Sequence, residues 1–553
     1  MTQTIVYGAR LVRTMDPACP TAQAVAARGD RIRAVGSVAE LLTYPDSVYN
    51  SRFEHAMLLP GFVEAHSHAE SGSVWDGIYV GYVDRTDPSG RNWPGCRSID
   101  AVLARLQQGE AELQDTDRTL LAWGFDPIYF PDERLTAAEL DTVSATRPIY
   151  VTHTSGHGCT VNTVTMQRGG IDRDTGVAGI IGDGDGDPIG ELHEFDAVGL
   201  VATVLDSGGL AAINAEALRR FGQDAVNTGT TTVTDLGTPH LMDDAGVEIF
   251  RATVDHHFPA RLNVFHAGAG MGPVAGTMAQ AAERITELTG TSAANLRFGN
   301  VKLVLDGTLQ GFTARVLEPG FFGADHNGMW NIAPQDYREA FEVFHRAGLM
   351  IHVHCNGDEA TELFLDTLEA ALIAHPRPDH RHTCTHSQMT TAAQYRRMAA
   401  LGACANVFAN HIWAYGDQHL DITVVPDRAR RNNAAATALR HGVPISLHSD
   451  TPVTPLGPLS TIKHAVTRKT VSGRVMGEHE RISVPQALHA VTVGGAYMLK
   501  MDHEVGSIET GKFADFAVLA EDPLTVDPLE IGDIHVHGTV LGGTFHPSNT
   551  PAP

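Results

Sequence analysis

What most constrains the fold of this chain is a repeated alternation. Short runs rich in β-branched and apolar residues, most closing on a polar side chain, are separated by helical stretches. The runs are TTTVTDLG (230–237), ARLNVFHAG (260–268), GNVKLVLDG (299–307), GLMIHVHCNGD (348–358), HRHTCTHSQ (380–388), LGACANVFAN (401–410) and GVPISLHSD (442–450). Stretches such as PQDYREAFEVFHRA and TTAAQYRRMAALG fill the gaps. With MLLPGFVEAHSH, which precedes them, the runs number eight. Eight successive β/α units predict a closed parallel barrel. Residues from roughly 70 to 225 break the rhythm and read as an insertion after the first strand.

Strands also open and close the chain. TIVYGARLVRT and AQAVAARGDRIRAVG lie within residues 1–57, and GSIETGKFADFAVLAEDPL and DIHVHGTVLGGTFH within 500–553. Neither end offers enough strands to be stable alone, so the two are expected to fold together, leaving 58–499 for the barrel. A length of 553 residues suits one large barrel with an accessory domain.

Composition narrows the partners. Forty basic against 65 acidic residues give a net charge of −25, which disfavours nucleic acid and anionic membranes. Six cysteines without a C-x-x-C exclude a disulfide framework and a zinc finger. No export signal and no 18-residue apolar run is visible. The expectation is a cytoplasmic protein with a small-molecule substrate, acting alone or as a homodimer.

In a strand, residues i and i+2 face the same side. His66 and His68 in VEAHSH therefore point together, as do His352 and His354. In VKLVLDG, Val301, Leu303 and Leu305 would face the helices, and Lys302, Val304 and Asp306 the interior. His386 closes the next run and Asp450 the last. A single histidine on an apolar strand is usually a packed core residue. Five strand ends carrying ligand-type residues in one barrel point instead to a metal site at the end where barrels carry their chemistry.

LPGFVEAHSH, VKLVLDG, HCNGD, THSQ and HSDTPVTPL, in this order, resemble the amidohydrolase superfamily. SGHGCTVN, GDPIGELHE and VGSIETGKFADFAVLAEDPL resemble its family 3 branch, which includes N-substituted formamide deformylase. The resemblance implies a distorted (β/α)8 TIM-like barrel, with a small β-sandwich built from both termini. It implies one or two divalent metals, with zinc the expected ion. His66 and His68 would hold the more buried metal, and His354 and His386 the second. Lys302 would bridge the two as a carbamate, because an ammonium has no lone pair to donate. The alternative for Lys302 is a neutral or salt-bridged lysine in a mononuclear centre. Asp450 would bind metal water and act as general base. His352 shares the side of His354, as a neighbour of the ligands or as a packed residue. The implied activity is hydrolysis of a non-peptide C–N bond, in an amide or an N-substituted formamide. The rivals are a cyclic amide, carbamate or ester substrate on the same barrel, and a regulatory protein that keeps metal for stability.

Two motifs read as decoys. GSIETGKF has the spacing of a phosphate loop but Phe513 where Ser or Thr is needed, and no helix follows, so it reads as a hairpin. DGDGDPIGELHE places Asp183, Asp185, Asp187 and Glu194 as a calcium loop would, but Pro188 occupies the position that requires glycine. Cys355 reads as packed outward. Cys384 has the parity of His386 and could face inward, although packing is favoured. Trp123, His157, His411 and Trp413 are the expected substrate contacts near the barrel mouth.

Overall fold

A computed structural model describes residues 3–115, 118–205, 212–272 and 276–550. Its centre is an eight-stranded sheet, every neighbouring pair parallel and the strands in chain order. The strands are Phe62–Val63, Thr230–Thr238, Arg261–Ala269, Leu296–Val304, Met350–Cys355, Thr383–His386, Cys404–Val407 and Ile445–Leu447, here the first to the eighth. This is the distorted (β/α)8 barrel that the alternation predicts.

Side-chain alternation explains the layering. Val301, Leu303, Ile351, Val353, Ala405, Val407, Ile445 and Leu447 point outward into the main core. There they meet Tyr337, Phe341 and Phe344 of helix Pro334–Arg346 and Phe364 and Leu368 of helix Asp358–Ala374. The opposite parity carries Lys302, His352, His354, Asn406 and Ser446, all buried.

The seam between the eighth and first strands is closed by polar groups. Asn406 Nδ2 donates to the Ala65 carbonyl (3.2 Å) and accepts Ser446 Oγ at its own oxygen (2.9 Å). Beyond the strand ends the Asp450 amide donates to the His66 carbonyl (3.3 Å), and the His68 amide to that of Thr451 (3.0 Å). Ser449 Oγ donates to Glu64 (2.9 Å), a buried carboxyl that burial pushes up to about 8.

A seven-stranded sheet joins both termini. Its order is Thr544–Pro547, Val536–Leu541, Phe516–Leu519, Ser47–Pro60, Thr4–Arg13, Thr21–Arg28, Arg31–Gly36. Strand Ser47–Pro60 pairs parallel with Thr4–Arg13 and antiparallel with Phe516–Leu519. Period-two alternation divides the burial of this antiparallel pair: Ala56, Leu58, Phe516 and Val518 enter the terminal core, while Met57, Leu59, Ala517 and Leu519 enter the barrel core. Arg261 of the third barrel strand fixes the join, with Nε 2.6 Å and Nη2 2.9 Å from the two carboxylate oxygens of Asp515.

The segment after the first strand builds its own six-stranded sheet from Ile78–Tyr79, Leu120–Phe125, Ile149–His153, Gly158–Val161, Ile180–Gly182 and Pro188–His193. Helix Ala215–Asn227, which the alternation assigned mostly to the insertion, packs Leu218, Phe221 and Ala225 on the barrel core instead. DGDGDPIG is the turn between the last two strands of the inserted sheet. Asp183 caps that turn by accepting the amides of Asp185 and Asp187. In GSIETGKF, Lys512 Nζ donates to Ser507 Oγ (2.5 Å), and backbone bonds tie the segment to Ile32. It forms turns before strand Phe516–Leu519, not the two strands of a hairpin. Among the described residues, no helix is long and apolar enough to cross a membrane.

Candidate metal centre

His66 and His68 leave the first strand and Asp450 the eighth, and all three meet across the seam. His66 Nε2 stands 2.9 Å from Asp450 Oδ1 and 3.2 Å from His68 Nε2; His68 Nε2 lies 3.2 Å from the same oxygen. On the far side of Asp450, His386 Nδ1 is 3.7 Å from Oδ2. His386 Nε2 lies 3.0 Å from His354 Nδ1.

The electrostatics favour ligands with free lone pairs. Burial holds His66, His354 and His386 well below the usual histidine range, so their rings are neutral, whereas against its burial the hydrogen bond to Asp450 draws His68 up. Burial would raise the Asp450 carboxyl. The facing His66 and His386 and the hydrogen bonds from His66 and His68 outweigh it and hold the group well below the usual carboxylate range. Lys302 is 2% exposed, its Nζ has no hydrogen-bond partner, and burial pulls its ammonium down to about 7.

A divalent ion fits these residues. Among the described residues, His66 Nδ1, His386 Nδ1 and Lys302 Nζ are buried polar atoms with no hydrogen-bond partner, which a protein rarely leaves unsatisfied. His66, His68 and Asp450 each offer a ligand atom, all within 4.8 Å of one another. Imidazole nitrogen and carboxylate oxygen are the donor set of zinc and its divalent neighbours.

His448 is the histidine that the sequence reading passed over. It forms a second ligand-type group with His66 and His386. Its ring stacks on His66 (centroids 4.5 Å, 10°), with Phe408 on its other side (4.6 Å). Its parity with Asp450 in LHSD was the available signal. Backbone geometry decided two further placements. His386, Ser387 and Asp450 have φ of 68°, 49° and 55°, left-handed values that are costly outside glycine and recur at functional sites. The turn at His386 breaks strand alternation, so Cys384 does not share the direction of His386. Cys384 packs outward with Cys355 in the barrel core. Asp306 is buried too, but it fastens a loop: it accepts the amides of Arg315, Asn356 and Gly357 and ties the fourth strand to HCNGD.

A cavity of about 230 Å³ opens beside the centre, between the inserted sheet and the loop after the fourth strand. Pro127, Ile128, Phe130, Phe312 and Ile422 give it apolar walls. Of the four expected substrate contacts, His157 lines this cavity and its ring lies 5.1 Å from that of His354. His411 is buried with Nδ1 2.6 Å from Gln388 Nε2, and its ring lies against Phe408. Trp413 stacks on His464 and lines a smaller cleft. Trp123 is buried among Trp75 and Tyr79, away from the main cavity. Glu194, which the sequence offered only as part of a discounted calcium loop, bonds His157 and reaches the cavity.

The profile described as "Amidohydrolase family" matches residues 54–546. The chain is 26% identical to the putative amidohydrolase YtcJ of Bacillus subtilis over 502 residues, covering 88% of each chain. It is 25% identical to the N-substituted formamide deformylase of Arthrobacter pascens over 575 aligned positions, covering 98% of this chain and 97% of that one. The fold matches that of an uncharacterized metal-dependent hydrolase from Pyrococcus horikoshii with a TM-score of 0.71 at 16% identity, over 95% of this chain and 99% of the other. From residue 54 to residue 546 the chain belongs to the amidohydrolase family.

Proposed function

We infer that the protein hydrolyses the C–N bond of a small amide, and within that class an N-substituted formamide with an apolar N-substituent. The carrying observation is the convergence of His66 Nε2, His68 Nε2 and Asp450 Oδ1 across the barrel seam, near a cavity lined by both apolar and ionisable side chains. His66 and His68 would hold one divalent ion, zinc by donor type. Lys302, as a carbamate, His354 and His386 would hold a second. A divalent ion bound there supplies a Lewis acid for the carbonyl and lowers the pKa of a coordinated water.

The chain's own groups do the rest. Asp450 is ionised at neutral pH, so it accepts the proton of the attacking water and delivers it to the departing nitrogen. His66 Nε2 and His68 Nε2 hold that carboxylate through its Oδ1. The cavity walls exclude bulk water and receive the N-substituent. The dimensions favour a substituent of benzyl size over a peptide.

The test is a hydrolysis screen of zinc-loaded protein against N-alkyl and N-benzyl formamides, acetamides, lactams, carbamates and esters, with products identified by mass spectrometry. Formate and a free amine from the formamides support the reading. Turnover confined to lactams, carbamates or esters would replace it, and no turnover of any would favour a regulatory role.

A further inference from the structure

Glu194 sits at the cavity edge in a network that fixes the direction of every hydrogen bond it makes. Its Oε1 lies 2.5 Å from Thr313 Oγ1. That oxygen accepts the Thr308 amide (2.9 Å), and of the two acceptors within reach of its proton Glu194 is far nearer than the Thr308 carbonyl (3.4 Å), so the hydroxyl donates to Glu194. Oε2 lies 2.9 Å from Asn331 Nδ2. The same Nδ2 donates to the Asp306 carbonyl (2.9 Å), which fixes it as the amide nitrogen and therefore as a donor. Oε2 also lies 2.7 Å from His157 Nδ1. A carboxylate whose other partners all donate is an acceptor here too, so Nδ1 of His157 carries its hydrogen. In a neutral imidazole that leaves a lone pair on Nε2. His157 Nε2 has no hydrogen-bond partner among the described residues, and the ring lines the cavity beside His354.

The backbone is adapted to hold this pair. Glu194 adopts φ 64°, and its amide donates to the His157 carbonyl (2.6 Å). The two residues are thus joined by main chain and side chain, across the ends of different strands of the inserted sheet. A strained carboxylate that accepts three side-chain donors is more than a packing residue needs.

We propose that Glu194 locks His157 as the Nδ1–H tautomer so that Nε2 accepts the N–H of a secondary amide, making the pair the determinant that selects N-monosubstituted over N,N-disubstituted substrates. The proposal deepens the amide-hydrolase reading and rests on it. Accepting that N–H orients the scissile nitrogen, leaving the face that must gain a proton turned from His157. A substrate with an N-methyl group in place of the hydrogen leaves Nε2 without a partner at a site built to use it. His157 would touch substrate, whereas Glu194 acts through it as a positioning residue.

Two measurements test this. In zinc-loaded wild type, kcat/KM for N-benzylformamide should exceed that for N-benzyl-N-methylformamide about 10- to 100-fold, the range of one lost hydrogen bond. In His157→Phe, which keeps ring bulk but has no acceptor, the ratio should fall close to one with metal content unchanged. Equal wild-type rates, a ratio that persists in His157→Phe, or loss of metal from that variant would each overturn the proposal. The last outcome would make His157 a ligand. If neither formamide is cleaved, the substrate reading fails separately, and the same ratio is read from their dissociation constants.

The second measurement needs no substrate. Nitrogen-15 spectra of the metal-free protein, with the His157 resonances found by their absence in His157→Gln, should show a protonated Nδ1 and a lone pair on Nε2. In Glu194→Ala, which removes the acceptor at Nδ1, the Nε2–H tautomer should appear. A wild-type Nε2–H, or a tautomer indifferent to Glu194→Ala, would overturn the positioning role.

Discussion

Asp450 Oδ1 lies 2.9 Å from His66 Nε2 across the one seam of the barrel where no ladder pairs the strands. The contact that closes the barrel is also the contact that assembles its chemistry. The Asp450 amide bonds the His66 carbonyl, so main chain and side chain hold the same two residues together.

Asp450→Asn keeps the size and one oxygen but cannot take a proton. We expect turnover to fall by about 10²–10⁴-fold or more, with at least one metal retained by His66 and His68. Steady-state kinetics beside elemental analysis reads both quantities. Near wild-type turnover in a folded, metal-loaded variant would remove Asp450 from the mechanism.

Lys302 carries a pH signature. Burial lowers its pKa from 10.5 to about 7. Between those values the unfolded chain binds more protons than the folded one, so its burden on stability is full below pH 7 and lifts as pH rises towards 10.5. In metal-free protein and carbon-dioxide-free buffer, Lys302→Met should therefore melt above wild type, with the gap widest below pH 7 and narrowing by pH 10. A gap of equal size at pH 6 and pH 10 would show that Lys302 is not desolvated. The same variant, loaded with zinc, should hold less metal and lose activity if the lysine bridges as a carbamate.

The Arg261–Asp515 pair should be structural only. Both side chains are 3% exposed, and the Arg261 guanidinium also lies 3.4 Å from the centre of the Phe513 ring. Asp515→Ala leaves a buried guanidinium unpaired, which costs about 3–5 kcal/mol. Denaturant unfolding should show that loss, while kcat of the folded fraction stays within about twofold of wild type. We propose that residues 1–57 and 500–553 form one unit with this pair as its anchor. A chain truncated at residue 499 that stayed soluble and fully active would contradict that arrangement.

The cavity wall should set the limit on the N-substituent. Ile128→Trp adds bulk to a space of about 230 Å³. KM for N-benzylformamide should rise about tenfold, since displacing a well-packed ring of that size forfeits on the order of 1.4 kcal/mol or more. N-methylformamide should be unaffected. Equal effects on both substrates would mean that the substituent lies elsewhere.

The sequence by itself determined the parts of this protein that follow from period and chemistry. Alternation of runs predicts the eight parallel strands, and parity within a strand turns Lys302 away from Val301 and Leu303; His66 and His68 lie just past strand Phe62–Val63 and meet there as their spacing suggests. Those inferences hold because a strand's geometry is local. Tertiary structure decided what depends on bonds between distant segments or on a single unusual backbone angle. The left-handed turn at His386 separates its direction from that of Cys384, although both lie in one four-residue strand. Helix Ala215–Asn227 joins the barrel because Phe221 finds the main core, which no local pattern specifies. Glu194 looked like the last position of a failed calcium loop. Only the approach of Thr313 and Asn331, 119 and 137 residues away, makes it an acceptor with one direction to offer His157. A hydrogen bond's direction belongs to its whole network, and that network exists only once the chain has folded.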